Sequence, residues 1–276
     1  MIGVVDVGGG LRGAFGAGVF DYCLDNGIRF PFCVGVSAGS ANLCSYLAGQ
    51  KGRNIPFYTE YPRRKAYMGL GNLLFRRSYI DLDYVYGTLS NEGGENPLDY
   101  DALQVNPARL EIVATDAETG QPVYFDKTQI RRNAYDALKA SSCLPGICHA
   151  YKIAGHPYYD GGISDPIPVA RALCAGCDRV VVVLTRPKDY VRTQGNDKYF
   201  ARMIRRYPKA AEAVLCRYET YNRQLVQARR LEREGVCCIL APDDISGIGT
   251  LSTDPGPILA LYQKGYEAAK RLEQFL

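Results

Sequence analysis

The sequence of 276 residues has little of what several common functional classes require. It contains only two histidines, so a Ser-His-Asp triad has few residues to draw on. No apolar run approaches the ~20 residues that a membrane-spanning helix needs. We expect no secretory signal, because residues 1–7 read directly as a strand, and the sequence contains no internal repeat or low-complexity tract. The net charge of +4, without a block of like charge, does not indicate a nucleic-acid partner. We therefore expect a soluble, cytoplasmic protein with no transmembrane segment.

The chain has ten cysteines, but their positions do not favour a disulfide framework. Several lie in apolar segments: Cys33, Cys44, Cys216, Cys237 and Cys238. Buried free thiols behave as small hydrophobic groups, and a reducing cytoplasm explains their number. Cys174 and Cys177 have the spacing of a zinc or redox pair, but no second pair follows at the spacing of a zinc ribbon. We expect free cysteines and no metal site.

Apolar runs and helical patterns alternate over the first two-thirds of the chain. The predicted strands are residues 2–7, 32–36, 110–114 and 180–184, and helices are predicted at 38–47 and 166–175. The run at 180–184 has no polar alternation, as in a strand that is covered on both faces. Strands that alternate with helices indicate an α/β protein with a parallel sheet and helices on both faces.

Two segments depart from this alternation. Residues 50–105 are less regular, and we expect a lid or insertion over one end of the sheet. Near the end of the chain, long helices interrupted at Pro208 are followed by a strand at 236–240 and a closing helix. The predicted domains are a catalytic domain at 1–190 and a helical extension at 191–276 packed on it.

One helical face of the extension carries Arg202, Arg206 and Lys209. These side chains could make peripheral contact with anionic membrane lipids. Their spacing is also ordinary for the solvated face of an amphipathic helix, and that interpretation is favoured.

Ser37 lies in a motif of small residues where a predicted strand passes directly into a helix. The sequence Gly35-Val36-Ser37-Ala38-Gly39 matches a nucleophile elbow, in which flanking glycines allow a tight turn that exposes the serine hydroxyl. The start of the helix also favours developing negative charge. A glycine-rich turn with Ser37 as the helix N-cap explains the motif equally well.

A second glycine motif, Gly8-Gly9-Gly10-Leu11-Arg12-Gly13, also lies between a strand and a helix. Consecutive glycines can turn their amides toward an oxyanion without obstruction by side chains. The string also fits the dinucleotide fingerprint, but the next strand ends without the acidic residue that would bind a ribose. A purely structural turn remains open.

The candidate base is a carboxylate rather than a histidine. His149 and His156 occupy no recognisable motif, whereas Asp160-Gly161-Gly162 places a carboxylate at the start of a turn. The two tyrosines before Asp160 could partly desolvate it and raise its pKa, as a general base requires. Taken alone, Asp160 is better explained as a turn aspartate.

In this order, the three motifs resemble those of the patatin-like phospholipase family. Ser37 follows the glycine loop by a few tens of residues, and Asp160 follows more than a hundred residues later. The segment Ala-Ser-Ser-Cys-Leu-Pro at 140–145 is another shared feature. The resemblance covers about residues 1–185, and the helical remainder is similar to the C-terminal extension of one bacterial branch.

The resemblance implies a three-layer α/β/α fold with a mostly parallel central sheet. It also implies that Ser37 is the nucleophile and Asp160 the proton acceptor, in a dyad without histidine. The oxyanion hole is assigned to the loop Gly8-Gly9-Gly10, with Arg12 supporting it. The expected substrates are carboxylic esters of lipids, phospholipids or lysophospholipids, cleaved through an acyl-enzyme with no metal or organic cofactor.

Two positions depart from the family pattern and put loop geometry and substrate preference in doubt. Val7 precedes the three glycines where members usually have an acid, with Asp6 one position earlier. Asp165 precedes Pro166 where many members have asparagine.

Two other functions compete with a lipid acyl hydrolase. A non-catalytic acyl- or lipid-binding protein would keep the cleft, but it has no need of a nucleophile paired with a base. A nucleotide-binding regulator is disfavoured because the ribose-binding acid is missing.

Overall fold

A computed structural model of the chain describes residues 1–69, 71–72, 78–245 and 247–276. Eight strands form one mixed sheet in the order β5-β6-β3-β2-β1-β7-β8, with β4 paired to β3. The strands are β1 (Ile2–Asp6), β2 (Phe32–Val36), β3 (Arg109–Asp116), β4 (Pro122–Asp126), β5 (Tyr151–Ile153), β6 (His156–Asp160), β7 (Arg179–Val183) and β8 (Cys237–Leu240).

Parallel pairing dominates the centre of the sheet. β2, β1, β7 and β8 run parallel to one another, and β3 runs parallel to β2. These five strands include every strand that was predicted from a continuous apolar run. β4, β5 and β6 pair in antiparallel fashion and had no such signal. The mostly parallel sheet is confirmed.

The α-helices, in chain order, are α1 (Ala14–Asp25), α2 (Ala38–Leu47), α3 (Ile55–Thr59), α4 (Tyr100–Val105), α5 (Asp136–Ser141), α6 (Val169–Cys174), α7 (Asp197–Met203), α8 (Pro208–Arg233), α9 (Pro255–Ala268) and α10 (Leu272–Phe275). A 3-10 turn at Gly10–Gly13 follows Gly8 and Gly9 of the glycine loop. A second one, at Gly161–Ile163, directly follows Asp160. Both therefore lie next to candidate site residues.

Alternation along the strands produces three layers. Val4 of β1 belongs to a core cluster shared with α1, α2 and α9, whereas the adjacent Val5 belongs to a second cluster shared with α6 and α8. Successive side chains of a strand point to opposite faces of the sheet. The sheet is thus covered by helices on both faces, as the three-layer α/β/α fold requires.

Residues from 191 onward are joined to this sheet rather than lying apart from it. β8 extends the sheet beyond β7, and α8 and α9 cover opposite faces. α9 approaches α1 very closely: a side chain at Gly18 would overlap the Tyr262 carbonyl, and one at Gly265 would overlap the Phe15 carbonyl. Glycine at both positions therefore allows the two helix backbones to touch.

Residues 50–105 fold back as short elements, including α3, a 3-10 turn at Tyr61–Arg63, a π-helical turn at Tyr84–Thr88 and α4. Residues 70 and 73–77 of this expected insertion lie outside the described residues. No helix in the described ranges is long and apolar enough to cross a membrane.

The cysteines are free thiols, and eight of the ten are buried. The expectation that Cys216 lies in an apolar environment was wrong, because it is exposed on the outer face of α8. Cys174 is exposed and Cys177 is buried.

Candidate active site

Ser37 occupies a strained turn between β2 and α2. Its backbone has φ 56° and ψ −130°, in the left-handed half of conformational space that non-glycine residues rarely adopt. The flanking glycines are required by close approach. A Cβ at Gly35 would lie 2.6 Å from the Ser40 Cα, and one at Gly39 would overlap the carbonyl oxygen of Asp6. Ser37 therefore lies in a tight strand–turn–helix connection, at the N-terminus of α2.

The backbone of Ser37 is held by Ser141 at the end of α5. The Ser37 N–H donates to Ser141 Oγ at 2.8 Å, and Ser141 Oγ–H donates to the Val113 carbonyl at 2.6 Å. All three groups are buried. The strained turn is thereby tied to the central strand β3, and the Ser37 amide is not free to bind an oxyanion.

β3 also brings Asp160 to Ser37. Val36, the residue before Ser37, pairs with Val113, and Asp160 pairs with the next residue, Ala114. β4 already pairs with β3 at Ala114, so β6 must use the same edge of β3 as β2. β6 therefore continues the path of β2 along that edge, and its last residue lies where β2 ends.

The carboxyl group of Asp160 is buried and only partly satisfied. Its Oδ1 accepts the Gly162 N–H at 2.8 Å, while Oδ2 has no hydrogen-bond partner among the described residues. Burial raises the pKa of Asp160 to about 6, although the nearby Ser37 hydroxyl and the Gly162 amide lower it. A buried carboxyl with one uncommitted oxygen beside a serine hydroxyl is suited to accept a proton near neutral pH.

The turn after Asp160 needs its first glycine for packing. A Cβ at Gly161 would overlap the Val113 carbonyl oxygen, which already accepts from Ser141. The Asp160 carbonyl accepts the Thr115 hydroxyl at 2.8 Å. The Asp-Gly-Gly turn is thus fitted against β3 at the same point as the serine turn.

The glycine loop packs on the serine turn through backbone contact. Gly8, Gly9 and Gly10 have φ of 61°, 120° and 62°, and a Cβ at Gly8 would overlap the Val36 carbonyl oxygen. The Gly8 N–H donates to Asp6 Oδ1 at 3.0 Å and is therefore committed. The Gly9 and Gly10 N–H groups find no acceptor in the described part of the chain. These two amides remain available to an oxyanion.

Asp6 links the glycine loop to the helix that follows Ser37. Its Oδ2 accepts the Asn42 side-chain amide at 3.0 Å, and Asn42 also donates to the Gly13 carbonyl at 2.9 Å. Full burial raises the pKa of Asp6 to about 6. Asp6, which lies one position before the place where family members usually have an acid, therefore holds the glycine loop in position. The sequence analysis did not predict this role.

Arg12 supports the loop through the segment around Thr250. Its Nη1 donates to the Thr250 hydroxyl at 3.1 Å, and the Thr250 carbonyl accepts the Leu11 N–H at 3.0 Å. The Thr185 hydroxyl donates to the Gly8 carbonyl. Residues from β7 onward thus hold a loop formed at the start of the chain.

Ser37 lies between two cavities of different character. An apolar cavity of about 80 Å³ is lined mainly by the 50–105 segment, including Phe57, Tyr58 and Met68. A more polar cavity of about 250 Å³ is lined by Asp160, the glycine loop and residues of the C-terminal segment. Ser37, Gly10 and Leu144 line both.

Neither histidine lies at these cavities. His156 Nε2 is 2.8 Å from Asp116 Oδ2 at the far end of β6, and the His149 backbone N–H donates to Ser78. Asp165, at the departure from the family pattern, accepts hydrogen bonds from Tyr124 and Gln224. It joins β4 to α8 and does not reach the serine.

Comparison with known proteins agrees with this geometry. The patatin-like phospholipase family matches residues 7–173, which is more than half of the chain. This chain belongs to the patatin-like phospholipase family. Its membership supports lipid hydrolase activity in general. A second family, described as a domain of unknown function (DUF6363), matches residues 207–275.

The relatives are longer than this chain. The "uncharacterized protein YjjU" of Escherichia coli K12 is 31% identical over 209 residues, which is 74% of this chain and 56% of the relative. The chain therefore spans about half the length of that relative. The "uncharacterized NTE family protein Rv1063c" of Mycobacterium tuberculosis is 30% identical over 30% of this chain and 22% of its own.

A solved structure shares the fold of the patatin-like chain. VipD from Legionella pneumophila matches 99% of this chain and 66% of its own, with a TM-score of 0.52 and 16% identity. At this identity the likeness shows the fold alone.

Proposed function

We propose that the protein hydrolyses carboxylic esters of lipids by a Ser37–Asp160 dyad through an acyl-enzyme. The observation that carries the proposal is that Ser37, Asp160, Gly9 and Gly10 line one cavity, while the Asp160 Oδ2 atom and the two glycine amides have no hydrogen-bond partner among the described residues. Each group is of the type needed for one part of acyl transfer.

Acylation uses these groups together. Ser37 Oγ attacks the ester carbonyl while Asp160 Oδ2 accepts the hydroxyl proton, and the carbonyl oxygen becomes an oxyanion. The Gly9 and Gly10 amides donate to this oxyanion, aided by the N-terminus of α2. Collapse of the intermediate breaks the bond to the alcohol, which leaves with the proton from Asp160.

Deacylation repeats the same steps with water. The oxygen of a water molecule attacks the acyl carbonyl while Asp160 accepts a proton from that water. The proton passes to Ser37 Oγ when the carboxylic acid is released. The raised pKa of Asp160 keeps the proton affinity of this base close to physiological pH. No metal or organic cofactor takes part in this cycle.

The two cavities suggest how the substrate lies. The apolar cavity formed by the 50–105 segment suits the acyl chain, because burial of methylene groups there removes them from water. The polar cavity suits the alcohol side of the ester. We therefore assign the catalytic steps to residues 1–190. Residues 191–276 complete the wall of the polar cavity that would hold the alcohol part of the ester.

Labelling with a fluorophosphonate tests the nucleophile. The wild-type protein should form a covalent adduct that Ser37→Ala abolishes. Ser45→Ala, a buried serine of α2 outside both cavities, should still label. Asp160→Asn should lower hydrolysis of short nitrophenyl esters by about 10²–10⁴-fold, the usual contribution of a general base. A wild-type protein that neither labels nor hydrolyses would refute the proposal in favour of a lipid-binding role.

A further inference from the structure

Four arginines surround the polar cavity that contains Ser37 and Asp160. Arg12 comes from the glycine-loop region, whereas Arg186, Arg192 and Arg217 come from the chain after β7. Asp160 is the only acidic residue that lines this cavity in the described part of the chain. The catalytic region thus carries a large local excess of positive charge.

The nearby carboxylates balance only part of this charge. Arg217 forms a two-point ion pair with the buried Asp197, with Nε at 2.9 Å, and Arg192 approaches the same carboxylate at 3.9 Å. Within the described ranges, Arg12 and Arg186 form no salt bridge. One buried carboxylate is therefore shared between two arginines, and two arginines have none.

Buried donors in the cluster also lack acceptors. The Nε atoms of Arg12 and Arg192 are buried without a hydrogen-bond partner among the described residues. An unsatisfied buried donor of a charged group costs free energy, so proteins rarely keep one unless a ligand completes it. Burial and the neighbouring Arg186 lower the pKa of Arg12 to about 10.

Contacts within the protein use only some of the donor groups of Arg186 and Arg12. The Arg186 guanidinium stacks on the Tyr190 ring at 4.1 Å from its centroid, which uses its face and leaves its edge donors free. Arg12 uses Nη1 for Thr250. Several arginines that line one cavity offer planar groups of N–H donors there, which match phosphate oxygens better than a single lysine does.

We propose that Arg186 and Arg192, with Arg12, form a subsite for an anionic phosphate group on the alcohol side of the ester. This inference rests on the proposed function and names the residues that would distinguish an ester with a phosphate group on its alcohol side from a neutral one. Arg186 and Arg192, which follow β7, would then supply headgroup recognition to a catalytic centre formed by Ser37, Asp160 and the glycine loop.

A matched pair of esters tests the subsite. The phosphate ester is a monoacylglycerol phosphate, and the neutral ester is the monoacylglycerol with the same acyl chain. Wild-type protein should prefer the phosphate ester. In Arg186→Gln and Arg192→Gln, kcat/KM for the phosphate ester should fall about tenfold or more relative to the neutral ester, mainly through KM.

The control variant is Arg223→Gln. Arg223 is exposed on α8, the helix that carries Arg217, and does not line the cavity. Its substitution removes the same charge from the protein and should leave the preference between the two esters unchanged. If Arg223→Gln lost as much preference for the phosphate ester as the cavity variants do, the preference would come from the net charge of the protein. The proposed subsite would then be wrong.

Binding without turnover separates this inference from the proposed function. Calorimetric titration of Ser37→Ala with the phosphate ester and with inorganic phosphate should detect binding that Arg192→Gln weakens. If wild-type protein hydrolyses neither ester but the phosphate ester still binds through the arginines, the proposed hydrolysis fails and the subsite stands.

Two results would overturn the headgroup assignment. The first is an unchanged ester preference in both arginine variants that remain folded and active. The second is binding of inorganic phosphate that depends on Arg192 while the phosphate ester does not compete for it, since this would assign the arginines to free phosphate. Circular dichroism and thermal unfolding of each variant exclude misfolding as the cause of a loss.

Discussion

Val36 and Asp160 pair with consecutive residues of β3, Val113 and Ala114. The two strands that carry them are more than a hundred residues apart in sequence, so one central strand fixes their spacing. Because β3 is buried and bonded on both edges, its geometry can change little. The positions of the serine and the carboxylate therefore depend on strand register rather than on loop conformation, which favours a preorganised site.

Activity on a neutral ester should fall on the acidic side of neutrality. Burial raises the pKa of Asp160 to about 6, and the base must be deprotonated to accept the Ser37 proton. The value of kcat/KM should be halved near pH 6 and decline about tenfold per pH unit well below it. The pKa of Asp6 is also raised to about 6. If kcat/KM fell by more than tenfold per pH unit below pH 6, protonation of Asp6 would also be disturbing the glycine loop. A rate that is flat from pH 5 to 8 would contradict the assignment of Asp160 as base.

Asp160→Asn should stabilise the protein at neutral pH while it inactivates the enzyme. The folded state holds the Asp160 proton to about pH 6, whereas an ordinary aspartate releases it near 3.8. The stability contributed by this group is complete below about pH 3.8 and is lost as pH rises through 6.

At pH 8 the neutral asparagine avoids this loss and can still accept the Gly162 N–H. The free energy of unfolding should rise by up to about 3 kcal/mol, at about 1.4 kcal/mol per pKa unit. Urea denaturation at pH 8 and pH 5 measures this gain, which should shrink at the lower pH. Equal stability of the two proteins at pH 8 would mean that Asp160 is not held at a raised pKa.

Ser141 should matter to activity although it touches no substrate. Ser141→Ala removes the acceptor of the Ser37 N–H, which leaves that buried amide unpaired, and also removes a donor to the Val113 carbonyl. Stability should drop by about 1–3 kcal/mol. The strained Ser37 turn should also relax, lowering kcat more than it raises KM.

The matched control is Ser45→Ala, which removes the hydrogen bonds that another buried serine hydroxyl makes with Asn54 and Arg53. It should lower stability without a comparable loss of kcat. Similar kcat values for the two folded variants would show that Ser141 does not position Ser37.

The sequence indicates the central strands and the two turns well, because both depend on local patterns. Continuous apolar runs mark buried parallel strands, and the glycines at positions 8, 35, 39 and 161 are needed for backbone contacts that no other residue permits. β6 carries no such pattern: His156, Pro157 and two tyrosines read as irregular. It becomes a strand because β3 has an open edge beyond the end of β2.

The arginine cluster is the part of the site that the sequence could not indicate. Arg12 lies in the glycine motif, but Arg186, Arg192 and Arg217 lie far from it in sequence and belong to no motif. They meet only because β7 lies beside β1 and α8 packs across the same face of the sheet. Asp6 did leave a signal, since an acid was expected close to the glycine loop. Its hydrogen bond from the Gly8 N–H is local, but the one from Asn42 depends on the tertiary approach of α2.

Two glycines with nearly equal φ should respond very differently to substitution. Gly8 has φ 61° and Gly27 has φ 65°, so alanine at either position incurs the left-handed penalty of about 1–2 kcal/mol. A Cβ at Gly27 meets no atom within 4 Å, whereas one at Gly8 would overlap the Val36 carbonyl and press on the amides of Ala38 and Gly39. Gly27→Ala should therefore stay active. Gly8→Ala should lose activity or fail to fold, as measured by hydrolysis per folded protein and by thermal unfolding. Equal behaviour of the two variants would show that the contact between the glycine loop and the serine turn is dispensable.

The size of the apolar cavity should set the preference for acyl-chain length. Ala41 lies on α2, one helical turn after Ser37, and lines this cavity of about 80 Å³. Ala41→Leu adds three carbon atoms to a small space, so long acyl chains should lose kcat/KM relative to acetyl or butyryl esters. Each methylene excluded from the cavity is worth about 0.8 kcal/mol, or roughly fourfold in kcat/KM. A series of nitrophenyl esters of increasing chain length measures this change, and labelling of Ser37 by a small fluorophosphonate checks that the turn is intact. If the chain-length profile does not change while labelling persists, the acyl chain does not occupy this cavity.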